Sequence, residues 1–286
     1  MSPAMRLDAH QHFWRYDPAQ HVWMTDAMVA LRRDYLPEDL APLLQASGFA
    51  GTIAVQARQM VEETEWLLAL AEKHAFIRGV VGWVDLRSPD LGAQLERFGA
   101  NPKLVGVRHV VHDEPDEDFM LRPEFRRGIA RLGPAGLTYD LLLRPPHLKA
   151  AIRLVDEFSD QPFVLDHIAK PGVGDVSKSP WREDIFRLAE RPNVSCKLSG
   201  LVTETDGKAW QPADFRPALD VVLEAFGPDR LMIGSDGPVC TLAGDYATTM
   251  GVVMDFVRDL NLSEQDGILG GNCARFYGVA LDEEGA

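Results

Sequence analysis

Eight short apolar runs recur along this chain of 286 residues, and longer polar or amphipathic segments separate them. The runs lie at 6–13, 51–57, 77–86, 104–111, 136–143, 162–168, 193–200 and 230–236. Their starts are roughly 26 to 45 residues apart, which is the length of a strand–loop–helix–loop unit. Several runs are apolar at nearly every position, as in parallel strands covered on both faces. The spacing therefore predicts parallel strands that alternate with helices.

The segments between the runs carry helical signals. In 61–74, Leu67 and Leu70 share one side while glutamates fill most of the other, which is the period of a helix packed on a sheet. Ser88 is expected to cap a helix that has Pro89 at its first position. Prolines also stand near the starts of RPPHLKAAIRLVDEFSD and SPWREDIFRLAERP. We therefore expect a helix after most strands.

Eight such units without a Gly/Ser-rich linker favour a single (β/α)8 barrel, a fold that commonly needs about 250 residues. An open doubly wound sheet is the competing fold, but no G-x-G-x-x-G follows the first strand and no Walker A motif occurs. We therefore expect one domain over 1–286 and no nucleotide cofactor. The long segment at about 13–40 predicts a first βα loop that covers the mouth of the barrel.

Composition narrows the range of partners and compartments. The net charge of −14, without a basic stripe, argues against nucleic acid or an anionic membrane as a partner. Cys196, Cys240 and Cys273 are far apart, as is typical of reduced thiols. The first residues lack the pattern of a signal peptide, and no apolar stretch of about 18 residues occurs. A cytoplasmic protein is expected, and its oligomeric state is left open.

Polar side chains gather at the carboxyl ends of the predicted strands, where (β/α)8 enzymes carry their active sites. Asp8, His10 and His12 stand two residues apart, so an extended strand would place all three on one face. The other strand-end residues are Gln56, Arg58, Trp83, Asp85, Arg108, His109, His112, Asp166, His167, Lys170, Lys197, Ser199 and Asp236. Such a collection predicts a metal ion or a bound substrate at this end of the barrel.

Some of these residues also have structural interpretations. Arg58, Asp85 and His112 are interpreted as surface loop residues. Lys197 lies in an apolar strand, and a buried lysine needs a partner. Arg108 either closes an interior ion pair or contacts a ligand, and the sequence leaves both open.

Three short motifs carry a family resemblance: DAHQH at 8–12, DHIAKP at 166–171 and GSDGPVC at 234–240. The longer stretches VQARQMVEETEWLLALAEKHAFIRGVVGWVDL and GGNCARFYG strengthen it. With these motifs the chain resembles the amidohydrolase superfamily, and more narrowly its sugar lactonase branch, which includes L-fuconolactonases and L-rhamnonolactonases. The resemblance covers almost the whole chain. It implies a (β/α)8 barrel that hydrolyses an ester-like or amide-like bond.

The resemblance also implies a set of site residues. In metal-dependent members the positions of His10, His12, His167 and Asp236 ligate a divalent ion, and the aspartate is the base for the attacking water. One ion, with zinc expected from the ligand types, is one possibility. The other is a metal-independent site in which the histidines hydrogen-bond the substrate, as in some relatives of this branch.

Two positions depart from the family pattern. The segment TYDLLL offers no lysine or glutamate to bridge two metals, and no histidine follows His167, so a two-metal site is not expected. Relatives often carry tryptophan where this chain has Gly237, which implies a wider pocket at that point.

The implied reaction is the opening of a sugar 1,4- or 1,5-lactone, with L-fuconolactone or a related L-sugar lactone expected, to its aldonic acid. Asp236 would be the general base, and the histidines or an ion would stabilise the oxyanion. The candidate substrate-binding residues are Trp14, Gln56, Trp83, Arg108, His109 and Lys170.

Two other functions stay open. The first is hydrolysis or decarboxylation of a carboxylated cyclic substrate of the 2-pyrone-4,6-dicarboxylate type, which would need two inward arginines such as Arg58 and Arg108. The second is a non-catalytic binding protein on the same scaffold, which would be expected to have lost Asp236 or the first-strand histidines.

Overall fold

The computed structural model describes residues 5–174, 176, 179–205 and 207–280, and its eight parallel strands form one sheet in which each strand pairs with the next along the chain. The strands are β1 (Leu7–Gln11), β2 (Gly51–Val55), β3 (Ile77–Gly82), β4 (Leu104–His109), β5 (Thr138–Leu141), β6 (Phe163–Leu165), β7 (Val194–Leu198) and β8 (Leu231–Ile233). A parallel bridge between Gln11 and Gly237 joins the two edges of the sheet. The predicted (β/α)8 barrel is confirmed.

A helix follows each strand. These helices are α1 (Pro37–Ser47), α2 (Val61–Lys73), α3 (Leu91–Gly99), α4 (Pro123–Ile129), α5 (Leu148–Glu157), α6 (Pro180–Ala189), α7 (Arg216–Phe226) and α8 (Tyr246–Phe256), and α9 (Leu262–Asp266) and α10 (Asn272–Tyr277) come after them. The helix expected at 61–74 is confirmed. The cap predicted at Ser88 is wrong, because α3 begins after Asp90 and the Ser88 hydroxyl accepts the Asp90 amide in the preceding turn. Among the described helices, none has the length and apolar character to span a bilayer.

Apolar side chains fill the barrel in two layers. One layer lies between the strands and the outer helices and contains most of the buried hydrophobic residues. The other fills the barrel interior and is formed by alternate strand residues together with the side chains of α10. Its members include Leu7, Ile53, Val81, Val164, Met232, Cys273 and Tyr277. Helix α10 therefore covers the amino-terminal end of the barrel and leaves the carboxyl end for a site.

The first βα loop has a small core of its own. Trp14 pairs with Tyr35 in an antiparallel bridge, and Trp14 packs with Met24 and Leu31. This cluster contacts Val239, which lies just after β8. The loop therefore packs beside the carboxyl end of the barrel. That it covers the mouth of the barrel stays a prediction.

Candidate active site

Strand β1 contains a bulge that separates its polar residues. The pairing register with β2 shifts between Asp8 and Gln11. Asp8 accepts the backbone amides of His10 (3.0 Å) and Ser235 (2.9 Å), and its second oxygen accepts the hydroxyl of Tyr246 on α8 (3.1 Å). The prediction that Asp8 shares a face with the two histidines is wrong, because an extra residue in a strand breaks its alternation. Asp8 instead joins β1 to β8 and to the outer helix layer.

Four buried side chains converge above the apolar layer of the barrel. Asp236 Oδ1 lies 3.3 Å from His12 Nε2, 3.7 Å from His167 Nε2 and 3.8 Å from His10 Nε2. The Nε2 atoms of His10 and His12 are 3.2 Å apart. Burial alone would raise the pKa of the Asp236 carboxyl, but the neighbouring imidazoles of His167, His12 and His10 lower that pKa below its ordinary value. Asp236 is therefore ionised at neutral pH and available as a base.

The protonation of His12 follows from its partner. His12 Nδ1 lies 2.8 Å from the carbonyl oxygen of Val55, which can only accept, so Nδ1 carries a proton. In the neutral ring Nε2 is then an unprotonated acceptor, and it faces the Asp236 carboxylate at 3.3 Å. Two acceptors at this distance require a proton or a cation between them.

His167 is presented by an unusual backbone segment. Residues 167–170 all have positive φ, between 49° and 59°. This left-handed region costs a non-glycine residue about 1–2 kcal/mol. The indole of Trp181 on α6 donates to the Ile168 carbonyl (2.8 Å) and so holds the turn from outside. His167 Nδ1 lies 2.8 Å from Ser199 Oγ, and burial lowers the pKa of His167 to about 4, so the ring is neutral at pH 7.

A network of charged side chains lies directly below the histidines. Lys197 is fully buried, with its ammonium 2.6 Å from Asp140 Oδ2 and 3.0 Å from Asp166 Oδ1. The hydroxyl of Tyr277 on α10 donates to Asp140 Oδ2 (2.8 Å). Burial raises the pKa of the Asp140 carboxyl to about 6. The prediction that Lys197 needs a partner is confirmed, and it has two.

Arg108 belongs to the same network. Its guanidinium donates to the Asp166 carboxylate (3.0 Å), to the Gln56 side chain (2.7 and 2.9 Å) and to the Gln56 carbonyl (2.5 Å). The fifth N–H points to His10 Nε2 at 3.1 Å. The interior ion pair predicted for Arg108 is confirmed. Every N–H of this side chain has a protein partner, so substrate contacts by Arg108 and Gln56 stay predictions.

Trp83 and His109 form a second polar chain at the ends of β3 and β4. The indole of Trp83 lies 3.4 Å from His109 Nδ1, and His109 Nε2 lies 2.7 Å from a carboxylate oxygen of Glu114. The imidazole also stacks on Phe119, with ring centroids 4.9 Å apart. Trp83 donates to Nδ1, so Nε2 carries the ring proton and donates to Glu114. The predicted substrate contacts of Trp83 and His109 stay predictions.

The remaining candidates lie around this centre. Lys170, at the end of the left-handed turn, is 3.4 Å from Glu204, and both side chains are partly exposed. Trp14 is fully buried in the first loop, and its indole donates to the carbonyls of residues 31 and 33. The predicted roles of Lys170 and Trp14 in substrate binding stay predictions. The loop residues Arg58, Asp85 and His112 are half-buried and lie outside the four-residue cluster.

Gly237 lies against the side chains of Gln11 and Ser235. A Cβ built at this position would overlap the side-chain oxygen of Gln11 and would lie 3.1 Å from the hydroxyl of Ser235. A larger residue would therefore point into this buried polar contact. The wider pocket expected at this position stays a prediction.

Three of the four side chains, His10, His12 and Asp236, bring their ligand atoms close enough together to hold one divalent ion, and His167 Nε2 lies 3.7 Å from the same Asp236 oxygen. Three imidazole nitrogens and one carboxylate oxygen are a common ligand set for such ions. Among His10, His12 and Asp236 the separations of 3.2, 3.3 and 3.8 Å bracket the ~3.3 Å expected between neighbouring ligands of a tetrahedral ion with bonds of about 2.0–2.1 Å. The Nε2 atoms of His10 and His12 face each other and the Asp236 carboxylate, and this is the local feature that such an ion would satisfy.

The comparison with protein families decides the assignment. The model of the family described as "Amidohydrolase" matches residues 7–279. The chain belongs to the amidohydrolase family. A curated relative, the L-fucono-1,5-lactonase of Burkholderia multivorans, is 40% identical over 287 residues, which cover 96% of this chain and 97% of the relative.

Solved structures agree with this family membership. The crystal structure of an amidohydrolase from Burkholderia multivorans with bound zinc has a TM-score of 0.93 and 40% identity, and covers 97% of this chain and 100% of that one. The 5-carboxyvanillate decarboxylase of Sphingomonas paucimobilis has a TM-score of 0.65 at 14% identity, over 97% of this chain and 100% of that one. That second likeness concerns the fold alone.

Two residues of the charged network in this amidohydrolase, Asp140 and Tyr277, were not predicted from the sequence. Asp140 gave the same signal as Lys197, because it is a charged residue inside an apolar strand, and the two could have been paired on that ground. The sequence did not indicate a polar role for Tyr277, since an aromatic residue in a terminal helix is usually part of the hydrophobic core. Only the way α10 closes the barrel brings its hydroxyl to Asp140.

Proposed function

We propose that this amidohydrolase opens a sugar 1,5- or 1,4-lactone, L-fucono-1,5-lactone or a related L-sugar lactone, to the aldonic acid. The observation that carries the proposal is the 40% identity to an L-fucono-1,5-lactonase over nearly the whole of both chains. The site chemistry is consistent with it. An ionised carboxylate lies next to three inward imidazoles in a buried cluster at the carboxyl end of the barrel.

In the proposed mechanism Asp236 is the general base. Its carboxylate takes a proton from water as the water oxygen attacks the lactone carbonyl. The carbonyl carbon becomes tetrahedral, and the bond to the ring oxygen then breaks. The protonated Asp236 returns its proton to the leaving ring oxygen, which becomes a hydroxyl. The other product group is a carboxylic acid, which releases its remaining proton to the solvent and becomes a carboxylate. Because the pKa of Asp236 is lowered, the base is in its active form at neutral pH.

His10, His12 and His167 face the place where negative charge develops on the carbonyl oxygen. A bound divalent ion, with zinc proposed from the ligand set, would supply Lewis-acid polarisation of that carbonyl. These three histidines and Asp236 would hold it. With or without a bound ion, each imidazole is held by a partner of its Nδ1 atom, for example the Val55 carbonyl oxygen for His12. Such fixed partners reduce the reorganisation needed during the reaction.

We further propose that the substrate ring lies between the cluster and the first βα loop. Lys170 supports this best, because its ammonium is partly exposed and its ion pair with Glu204 is loose at 3.4 Å. Trp83 and His109 would form an adjoining wall. Gln56 and Arg108 would act by holding His10 and Asp166, since their hydrogen-bonding groups are already engaged.

The competing carboxylated substrate is less consistent with the site. A dicarboxylate needs free cationic side chains, and both expected arginines are engaged: Arg108 as described and Arg58 with the buried carboxylate of Glu63. We also propose a cytoplasmic enzyme with one catalytic domain over 1–286 and a small-molecule partner. The net charge of −14 supports the proposal that neither nucleic acid nor an anionic membrane is a partner.

The test is proton release, followed with a pH indicator, on L- and D-configured 1,4- and 1,5-lactones. The protein is assayed as purified, after chelation and after zinc is restored. We expect rapid opening of an L-configured six-carbon lactone and slower opening of its D-counterpart.

Asp236→Asn is the matched variant because it keeps the size of the side chain and removes the base. It should lower kcat by about 10²–10⁴-fold. No turnover by folded wild-type protein across the lactones would refute the function. Wild-type turnover by Asp236→Asn would refute the role of Asp236.

A further inference from the structure

His112 lies at the rim of the barrel, three residues after the end of β4. Its backbone amide donates to the Leu142 carbonyl (3.1 Å), so it is held beside the end of β5. Parallel strands bring their carboxyl ends to one side of a barrel, and the active sites of this fold lie on that side. The side chain of His112 is only 15% exposed. His112 is therefore a poorly exposed residue on the same side of the barrel as Asp236.

The position of the ring proton of His112 follows from Asp113. His112 Nε2 lies 3.3 Å from Asp113 Oδ1. A carboxylate can only accept a hydrogen bond, so it favours a proton on Nε2. In the neutral ring Nδ1 then has no proton and is an acceptor. The Nδ1 atom of His112 therefore offers a lone pair to a hydrogen-bond donor.

This lone pair is unused within the part of the chain that the structure describes. The Nδ1 atom of His112 is buried, and it receives no hydrogen bond from a described residue. A buried acceptor without a donor is costly, and most such groups in native proteins have a partner. An acceptor of this kind near the mouth of the barrel indicates a ligand that donates a hydrogen bond.

The surroundings of His112 keep its ring uncharged. Burial and the nearby cations Lys170, Arg144 and Arg108 together lower the pKa of His112 to about 2. The ring is therefore a neutral acceptor at neutral pH. Among these cations Lys170 has the largest effect, so its ammonium lies in the neighbourhood of the imidazole.

Lys170 offers a donor next to this acceptor. It follows β6, which is separated from β4 only by β5 in the sheet. Its ammonium lies 3.4 Å from Glu204, and the two side chains are 14% and 19% exposed. This long contact leaves the ammonium able to donate to a further oxygen. A donor and an acceptor therefore stand close together at the rim.

We propose that His112 is a specificity-determining residue that binds a hydroxyl group of the substrate ring. A sugar hydroxyl donates and accepts at the same time. It donates to His112 Nδ1, and its oxygen accepts from the Lys170 ammonium. The inference rests on the proposed lactonase function and adds a requirement to it. The preferred substrate is a lactone that carries a ring hydroxyl, in contrast to an unsubstituted cyclic ester.

Binding at this place needs a small adjustment of the rim, because neighbouring atoms cover His112 Nδ1. The contact between Lys170 and Glu204 can yield, since the Glu204 carboxylate is partly exposed and water can solvate it. The adjustment exchanges an ammonium–carboxylate contact for an ammonium–hydroxyl contact. It also gives His112 the hydrogen bond that it lacks, and this gain is available only to a substrate with a hydroxyl.

Kinetics on two lactones test the role. One is L-fucono-1,5-lactone, and the other is δ-valerolactone, which has the same ring size and no hydroxyl. His112→Leu should lower kcat/KM on the sugar lactone roughly tenfold, about the value of one hydrogen bond, chiefly through KM. On δ-valerolactone the change should be less than twofold, and its inhibition constant replaces KM if its turnover is slow. Equal losses on the two lactones, or no loss on either, would overturn the proposal.

Two further variants complete the series. His74→Leu is the matched control, because it makes the same substitution at a partly exposed histidine that ends α2, where the imidazole is 4.0 Å from Glu38. It should leave both lactones unaffected. His112→Asn keeps an amide oxygen that can accept near the position of Nδ1, so it should recover part of the loss. Thermal unfolding of each variant shows that it is folded.

A measurement without turnover separates this site from the proposed function. Protein labelled with ¹⁵N-histidine is titrated with L-fucose, which has ring hydroxyls and no ester bond, and His112 is identified from the signals lost in His112→Asn. We expect the Nδ1 signal to move to lower ¹⁵N shift, as an acceptor does when it gains a hydrogen bond, while Nε2 keeps its proton. An Nδ1 signal that does not move would overturn the proposal. A protein that responds in this way but opens no lactone would overturn the function and leave the hydroxyl site standing.

Discussion

Gly200, at the end of β7, lies against the imidazole of His167 and has a positive φ of +63°. A Cβ at this position would be 2.5 Å from His167 Nδ1 and 2.7 Å from Cγ. Ordinary van der Waals contact begins near 3.4 Å, so the Gly200→Ala variant must move the ring by about 1 Å. The movement would disturb both the hydrogen bond to Ser199 and the approach of Nε2 to Asp236.

Two costs add up in Gly200→Ala. A non-glycine residue with positive φ costs about 1–2 kcal/mol, and an added methyl group in a filled space typically costs about 1–3 kcal/mol. Gly136→Ala is the matched control, because Gly136 has φ +72° and nothing within 4 Å of its added Cβ. The control therefore measures the backbone cost alone. Gly200→Ala should be less stable than Gly136→Ala by about 1–3 kcal/mol.

Activity should separate the two variants further. A displacement of about 1 Å in a catalytic group can cost about 10²-fold in rate. We therefore expect kcat on the best lactone to fall by about that factor in Gly200→Ala and to stay near wild type in Gly136→Ala. Thermal unfolding and lactone kinetics are measured on both proteins side by side. Equal stability and equal kcat in the two would refute the close contact at Gly200.

Three further predictions address the surroundings of the cluster. Ser199→Ala removes the partner of His167 Nδ1 and should lower zinc affinity about 10–100-fold by calorimetric titration; an unchanged affinity would contradict this. Because burial raises the pKa of Asp140 to about 6, protonation of Asp140 stabilises the fold below about pH 4. That contribution is lost as the pH rises through 6, and Asp140→Asn should flatten this slope of the unfolding free energy; equal slopes would refute it. Lys170→Met should raise KM by more than it lowers kcat, because Lys170 is proposed to bind substrate. Glu204→Gln, the control, should change kcat little. An effect of Lys170→Met on kcat alone would exclude the binding role.

The fold was predictable because its signal is repeated eight times. Each run of apolar residues overlaps a strand, although the predicted runs extend beyond the strands at one or both ends. For example, the run at 162–168 contains a strand of only three residues, Phe163–Leu165. The left-handed turn at 167–170 comes shortly after this strand, and its residues, His167, Ile168, Ala169 and Lys170, are not of the types that indicate positive φ in a sequence. A short apolar run therefore predicts the existence of a strand and not its last residue.

The polar residues of the site were predictable as a set but not by their individual contacts. His10, His12, His167 and Asp236 do meet, because all lie at carboxyl ends of parallel strands. The same reasoning gave a wrong prediction for Asp8, which does not share a face with the histidines. The cause is a bulge, and a bulge depends on pairing between strands that are far apart in the sequence.

Arg108 and Gln56 form hydrogen bonds within the protein, although their residue types suggested substrate contacts. The type of a side chain therefore does not reveal its role. A buried guanidinium must satisfy five N–H groups, and a barrel interior offers them no water. Gln56 and Asp166 therefore satisfy Arg108, while Asp166 and Asp140 both pair with Lys197. Arg108 and Lys197 each lie next to one nitrogen of His10. A network that cost only stability could be replaced by apolar side chains. Because this one ends at the imidazole that faces Asp236, the network fixes the position of His10, and so the geometry of the cluster above it.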